Sequence, residues 1–591
     1  MKKIIIPIMI LFLGLLSCEK DYLDLNPLDS VTEAAYFNEP EHFVNAANQL
    51  YVGMVSWSPT RASGTPGNDY NSNIFDFTDF GSDLNGLPLE VGRGANLITN
   101  DDKYWTNTYY YLRDVNILLQ KASEYSGEAS GISESVAAAY FFRAWHHFFL
   151  LQRFGGVPIV TTVIDLDSPE LYGARNSRYE VIDQIFSDLD KAIAGLPTEQ
   201  NIGSMDKGKI SKWGAEAFKA KILLYEATWE KYVGTTTDFT GSGTSSANIN
   251  AYLTEAITLS KDVMDNGGYE LWNKNAELNN LSSRYLFNLE DSDSNPGGFD
   301  KSSNKEFIIQ SIYDYNLRQG GTNVSHTVST RLSPSRKLMD MVLCTDGLPV
   351  DKSPLFQGYN KTSDEFINRD FRLTAYFGED IPADGSVKLN AASESTSGTG
   401  INATKFRSYN YGVYRAALEE SFNYPHLRLP EVYLTYAEAL MERDGSISDA
   451  DLNLSINKIR ARSGVAALTN ALASTNSLDM LEEIRRERTV ELFGENNRYD
   501  DLKRWGIAED ELSEDLLGAV IEGTVYETDT NLYDPADFVY GEKSVTTAVG
   551  TRRVSVIDPA SNRNFTRKNY LFPIPPTQRR LNPALEQNPG W

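Results

Sequence analysis

Cys18 stands one small residue, Ser17, beyond an apolar run of 13 residues from Ile4 to Leu16. A thiol placed there is offered for acylation. The run follows a cationic start, Met1-Lys2-Lys3, and is too short for a bilayer span of about 20 residues. It also lacks an A-x-A ending, so cleavage is expected directly before Cys18, leaving residues 1–17 as a signal peptide and a lipid on Cys18. An ordinary signal peptide with a chance cysteine, or an uncleaved anchor, is the plainer alternative. Each buried methylene contributes about 0.8 kcal/mol, and two or more acyl chains hold where one does not.

A second kind of chemistry lies in two irregular stretches that interleave aromatics with acids and amides. One runs from Asp69-Tyr70 through Phe75, Asp76, Phe77, Asp79 and Phe80 to Asp83; the other from Tyr313, Asp314, Tyr315, Asn316 and Arg318 to His326. Flat rings stack on the apolar C–H faces of a sugar, while carboxylates, amides and guanidinium groups bond its hydroxyls. Candidate ligand-binding residues are therefore Tyr70, Asp79, Asp83, Tyr315, Arg318 and His326, with Trp57 and Trp272 as further aromatics. Packing between elements is the competing use of each.

Other reactive side chains read as structural. Glu482, Arg486, Glu487, Arg488 and Glu491 crowd one helix, where Glu482 and Arg486 are four apart and positioned to pair; every acid has a cation within a turn. His146 and His147 are adjacent, so a helix turns them to different faces, whereas metal ligation wants spacing of three or four. Asp291-Ser292-Asp293-Ser294-Asn295-Pro296-Gly297 begins like a calcium loop, but proline occupies the sixth position and Ser302 the twelfth. Cys344, in an apolar context, reads as a buried thiol, and with Cys18 acylated it has no disulfide partner. No nucleophile elbow, phosphate loop, HExxH or dinucleotide fingerprint occurs, so no catalytic residue, metal or cofactor is assigned. A pair of carboxylates for glycoside hydrolysis stays open among 81 acids.

The elements that must position these residues are mostly helical. Ala137, Phe141, Ala144, Phe148 and Leu151 recur at spacings of four and three, predicting a helix over 133–154, apolar nearly all round and stopped by Gly155-Gly156-Val157-Pro158. Further helices are expected over 41–55, 104–123, 178–195, 212–232, 252–266, 429–443, 447–462 and 478–493. Residues 268–428 break the pattern with short strand-like runs such as 306–312 and long loops. Residues 506–591 read as an extended tail, with five prolines between Tyr570 and Trp591. Alanines where helices approach and aromatics in the gaps suggest tetratricopeptide-like hairpins without the strict 34-residue consensus; a plain bundle is the alternative. The fold class is all-α, with an irregular, loop-rich lobe carrying short strands. The organisation is 18–230, then 268–591, the latter divided at 428 and 505. The formal charge of −26 repels phosphate backbones, so nucleic acid is not an expected partner, and no basic patch would hold anionic lipid.

Several segments together resemble the SusD/RagB outer-membrane lipoproteins of Bacteroidetes. They are Cys18–Pro27; Ala139–Trp145 running into Arg153–Pro158; Leu427–Leu440; Asn457–Gly464; Glu487–Phe493 leading to Arg498–Trp505; and the ends Tyr570–Pro576 and Gln587–Trp591. Glu19-Lys20-Asp21 is similar to the surface-export signal of such lipoproteins. The resemblance covers essentially the whole chain after the leader, in order. One departure is Glu495-Asn496-Asn497, where the family usually has Glu-Gly-His. The resemblance implies four tetratricopeptide-like hairpins and a glycan-binding lid on a SusC-like TonB-dependent transporter. Its ligands would be oligosaccharide or polysaccharide. A peptide-binding RagB-like uptake lipoprotein and a surface glycosidase are the alternatives.

Overall fold

The computed structural model describes residues 36–54, 57, 79–242, 248–317, 319, 324–325, 332–391, 398–410 and 412–591. Residues 1–17, expected as a signal peptide, and Cys18, Tyr70, Arg318 and His326 lie outside the described residues.

Helices α1 (Pro40–Leu50), α2 (Lys103–Glu124), α3 (Ser133–Phe154), α4 (Arg178–Gly195), α5 (Lys212–Tyr232) and α6 (Ile249–Asn266) pack each on its sequence neighbour. Local chemistry sets their ends. Asp102 accepts the N–H groups of Tyr104 and Trp105 to start α2. Ser177 and Glu180 form a reciprocal capping box at α4. At the end of α3, Gly155 adopts φ 75° and ψ −135°, and a β-carbon there would meet Leu571 Cδ1 at 2.8 Å. Only glycine fits that backbone and that contact. Because α3 buries Phe141, Phe142, Phe148, Leu150 and Leu151, it runs through the middle of the larger core. A buried Arg143–Asp188 pair (2.7 and 2.8 Å) ties it to α4.

The chain then leaves the helical layer for the lobe, which has its own core around Trp57, Trp272, Phe287, Phe406 and Phe422. The lobe includes β1 (Phe307–Ser311) and a short helix α7 (Phe371–Phe377). It returns through β2 (Tyr424–Arg428), which pairs antiparallel with β1 in the register Phe307 to Arg428 and Ser311 to Tyr424. Strand β2 runs straight into α8 (Leu429–Asp444), and α8 packs on α6, across the lobe in sequence but adjacent in space. The scaffold is completed by α9 (Asp449–Leu454), α10 (Ile456–Arg462), α11 (Met480–Glu491) and α12 (Arg498–Arg504).

Two expectations are corrected. The helix expected over 447–462 is divided at Ser455, whose φ −126° and ψ −99° interrupt it. The segment after 505 is not an extended tail. It folds β3 (Leu516–Val520), β4 (Glu542–Thr547) and β5 (Gly550–Asp558) into an antiparallel sheet ordered β3-β5-β4. Its prolines hide a buried path: Tyr570, Leu571, Ile574 and Leu585 join the helical core.

Scaffold and lobe meet on a buried ion network. Arg372, Arg428 and Arg462 converge on Glu491; Glu306, Asp370, Glu487 and Glu495 complete their shells, and Arg460 joins Glu487 to Glu483. The charged face of α11 is thus structural. Arg486 meets Glu483 (3.1 Å) rather than Glu482, which takes Arg485 (3.3 Å).

Candidate ligand surface

Tyr315 is presented by a tight turn. Asp314 Oδ1 accepts the N–H groups of Asn316 (2.9 Å) and Leu317 (3.0 Å), and those two bonds hold its carboxyl below the usual range. Tyr315 remains 39% exposed. Against it stacks Arg415, whose guanidinium lies 4.2 Å from the Tyr315 ring centroid and 4.1 Å from that of Tyr414. The result is a tyrosine–guanidinium–tyrosine layer on the surface of the lobe.

Two acids fix this layer from below. Arg415 Nε donates to Glu290 Oε2 (3.1 Å) and its Nη2 to Asp291 Oδ2 (3.0 Å). The Tyr414 hydroxyl donates to Asp291 Oδ1 (2.6 Å) and accepts from Arg415 Nη2 (2.8 Å). Burial pushes the Asp291 carboxyl up. The Tyr414 hydroxyl, the Asp293 N–H and Arg415 outweigh it and hold the group below its ordinary value. The same surroundings, burial first, push the Tyr414 hydroxyl well above its ordinary value, so it stays a donor. Glu290 is buried, accepts the Ser421 backbone N–H (3.1 Å) and hydroxyl, and leaves Oε1 without a partner among the described residues. Beneath the layer Lys301 Nζ donates to the carbonyls of Tyr313 (2.6 Å) and Ser421 (2.5 Å), and burial lowers it to about 8. Within the 291–297 loop, Asp291 thus spends its carboxylate on Arg415, Tyr414 and the Asp293 N–H.

Of the residues expected to meet a ligand, Tyr315 is placed on this surface. Asp79 and Asp83 are corrected: both are buried and engaged within the protein. Asp79 accepts the N–H groups of Gly494 (2.8 Å) and Arg498 (2.9 Å). Burial raises its carboxyl to about 7 despite those bonds. Asp83 forms a two-pronged pair with Arg498 (2.8 and 2.9 Å) and meets Lys337 (3.2 Å). Burial pushes it up, but Arg498 prevails and holds it well below the carboxylate range. These acids are buried and join residues 79–83 to the start of α12. Trp57 and Trp272 are likewise buried in the lobe core. The residues missed were Tyr414 and Arg415. Their signal was present in Tyr409-Asn410-Tyr411-Gly412-Val413-Tyr414-Arg415, an aromatic-rich, glycine-broken run of the kind singled out elsewhere.

The departure at Glu495-Asn496-Asn497 has a simple resolution: Asn496 takes φ 59°, the left-handed conformation that glycine supplies in the usual sequence and that asparagine also tolerates.

Comparison with known proteins matches residues 291–591 to the model of the SusD family. Residues 89–224 match a second model, described as starch-binding associating with outer membrane. SusD-like protein P2 of Formosa agariphila is 23% identical over 85% of this chain and 91% of its own. Among solved structures, a SusD-like carbohydrate-binding protein from Bacteroides fragilis superposes with TM-score 0.69 at 22% identity, covering 93% of this chain and all of that one. A laminarin-binding SusD-like protein gives TM-score 0.55 at 20% identity, over 94% of this chain and all of that one.

Proposed function

Because the chain belongs to the SusD family, we propose that it is a non-enzymatic, lipid-anchored outer-membrane protein that holds oligosaccharide or polysaccharide on its lobe. It passes that ligand to a partner SusC-like TonB-dependent transporter. The observation that carries the reading is the layer of exposed Tyr315 and half-buried Arg415 and Tyr414, braced by Glu290 and Asp291. Aromatic faces and fixed charged donors are what a neutral polyhydroxylated chain needs, and a braced layer loses little entropy on binding. Cys18 supplies the anchor and the helical scaffold the transporter face. The relatives' names, one of them laminarin-binding, support a glycan ligand.

Affinity electrophoresis through gels containing laminarin, starch and other polysaccharides tests this. At least one polymer retards the protein, Y414A weakens that retardation about tenfold or more, and no new reducing ends appear. Retardation untouched by Y414A and Y315A overturns the placement of the site. Binding of a peptide pool with no glycan bound overturns the ligand class.

A further inference from the structure

Strands β1 and β2 stop pairing at Ser311 and Tyr424. Beyond that pair two segments leave the ladder: residues 312–317 carry Tyr315, and residues 412–423 carry Tyr414 and Arg415. The layer exists only while these segments keep their register, because it is stacked at 4.1 and 4.2 Å. Lys301 reaches both. Its Nζ donates to the Tyr313 carbonyl (2.6 Å) on the first segment and to the Ser421 carbonyl (2.5 Å) on the second. Tyr313 and Ser421 are buried, so water does not readily replace that donor.

The amine is itself held in place. Lys301 opens a single turn capped by Asp300, whose carboxylate accepts the Ser302 N–H (2.9 Å), and the Lys301 N–H donates to the Glu290 carbonyl (3.3 Å). Glu290 in turn accepts Arg415 Nε and the Ser421 N–H through Oε2 (3.1 Å each). Lys301 thus ties the acid that braces Arg415 to both segments of the layer.

The bond depends on charge. An ammonium carries three N–H groups, and bonds from a charged donor are about twice as strong as neutral ones. A neutral amine keeps two N–H groups but loses that charge. The charged groups facing Lys301 are Glu290 and Asp291 from one turn, Asp314 from the next and Arg415 from the 412–423 segment. Burial and Arg415 favour the neutral amine and the three acids oppose them; burial prevails and lowers the group from 10.5 to about 8.

We propose that Lys301 is the positioning residue of this surface, a clamp that keeps the tyrosine layer in register while its amine is charged and slackens it when the amine is neutral, so that glycan, on the reading given above, is held at neutral pH and released in mild alkali.

The test compares the full chain with K301M and K301R at pH 7 and pH 9, between which the charged fraction of Lys301 falls about tenfold. Hydrogen exchange, each rate scaled to that of the unfolded chain at the same pH, reads residues 312–317 and 412–423 without any ligand. Protection there falls in the wild type between the two values, is low at both in K301M, and holds at both in K301R, whose guanidinium does not titrate. Retardation in laminarin and starch gels follows the same order: the wild type loses affinity about tenfold, while K301M is weak and K301R strong at both values. Lys405 sheds its proton over the same interval but is present in all three proteins, so it does not produce the difference. A lysine that only supported the fold would leave K301M with the wild-type slope. Equal protection in K301M and wild type at pH 7, or a wild-type slope no steeper than that of K301M, overturns the clamp. If K301M does not fold, wild type against K301R decides, and equal slopes overturn it. Retardation of the wild type by neither polymer counts against the glycan reading alone, and exchange still decides the clamp.

Discussion

Replacing Glu491 by glutamine keeps its shape and removes one charge from the middle of the molecule. Glu491 Oε1 accepts from Arg428 Nη1 (2.5 Å) and Arg462 Nη2, and Oε2 accepts from Arg372 Nη1 (2.8 Å). Among the described residues the connected network balances. Glu306, Asp370, Glu483, Glu487, Glu491 and Glu495 face Arg372, Lys405, Arg428, Arg460, Arg462 and Arg486. E491Q leaves one cation in excess and turns an amide N–H toward guanidinium donors. Breaking a buried pair in this way costs about 3–5 kcal/mol, against about 0.5 for an ordinary surface change. The pH dependence follows from the same geometry. Burial opposes ionisation of Glu491, but Arg462, Arg428 and Arg372 overcome it and hold the carboxyl well below its ordinary 4.5. Its contribution is therefore complete above about pH 4.5 and lost as the pH falls below that value. On the alkaline side Lys405, lowered by burial to about 8, sheds its proton as the pH rises and relieves the excess cation in the variant. The gap between wild type and E491Q should be widest near pH 6–7, narrowing toward pH 9 and below pH 4.5. Urea unfolding midpoints at pH 4, 6.5 and 9 measure it. A gap under about 0.5 kcal/mol at pH 6.5, or one flat across the three, would refute the reasoning.

Two further substitutions probe the helical scaffold. G155A places a β-carbon 2.8 Å from Leu571 at a φ of 75°, so it should destabilise by about 1–3 kcal/mol and loosen the C-terminal segment from α3; unchanged thermal unfolding and unchanged proteolysis after residue 570 would count against that contact. His147 is held neutral, its Nδ1 on the Arg143 carbonyl (2.9 Å) and its Nε2 facing the Val160 N–H (3.4 Å), and burial lowers it to about 4 from 6.5. Its favourable contribution is present above pH 6.5 and lost as the pH falls, so wild type should lose about 1.4 kcal/mol per pH unit relative to H147Q between 6.5 and 4; a constant difference in denaturation midpoint over that range would refute it.

The helical scaffold was legible because its signals are local. The four-and-three spacing from Ala137 to Leu151, the Ser177–Glu180 box and the Gly155 stop each act within a few residues, and α3, α4 and α5 begin and end where those signals put them. The sheet after residue 505 was not legible. Its strands are five, six and nine residues long, β3 pairs with β5 across the whole of β4, and tail prolines dominate the composition that follows.

The candidate ligand surface divides along the same line. Asp79 and Asp83 carry the residue types that bond hydroxyls, but their partners, Gly494 and Arg498, are more than 400 residues away. No local signal distinguishes an acid facing a sugar from one capping a distant turn. The surface position of Tyr315 was legible because Asp314 builds its turn from within, whereas Arg415 and Tyr414 become a layer only when the 290–291 and 314–317 turns close on them. Composition thus locates aromatic, acid-rich loops, and contacts distant in sequence, Arg415 on Glu290 and Asp291 and Tyr414 on Asp291, decide which of their residues reach the surface together. For that reason Y414A, which removes one ring and the hydroxyl on Asp291, should weaken retention in a polysaccharide gel while the urea midpoint stays that of wild type, and unchanged retention would refute the assignment.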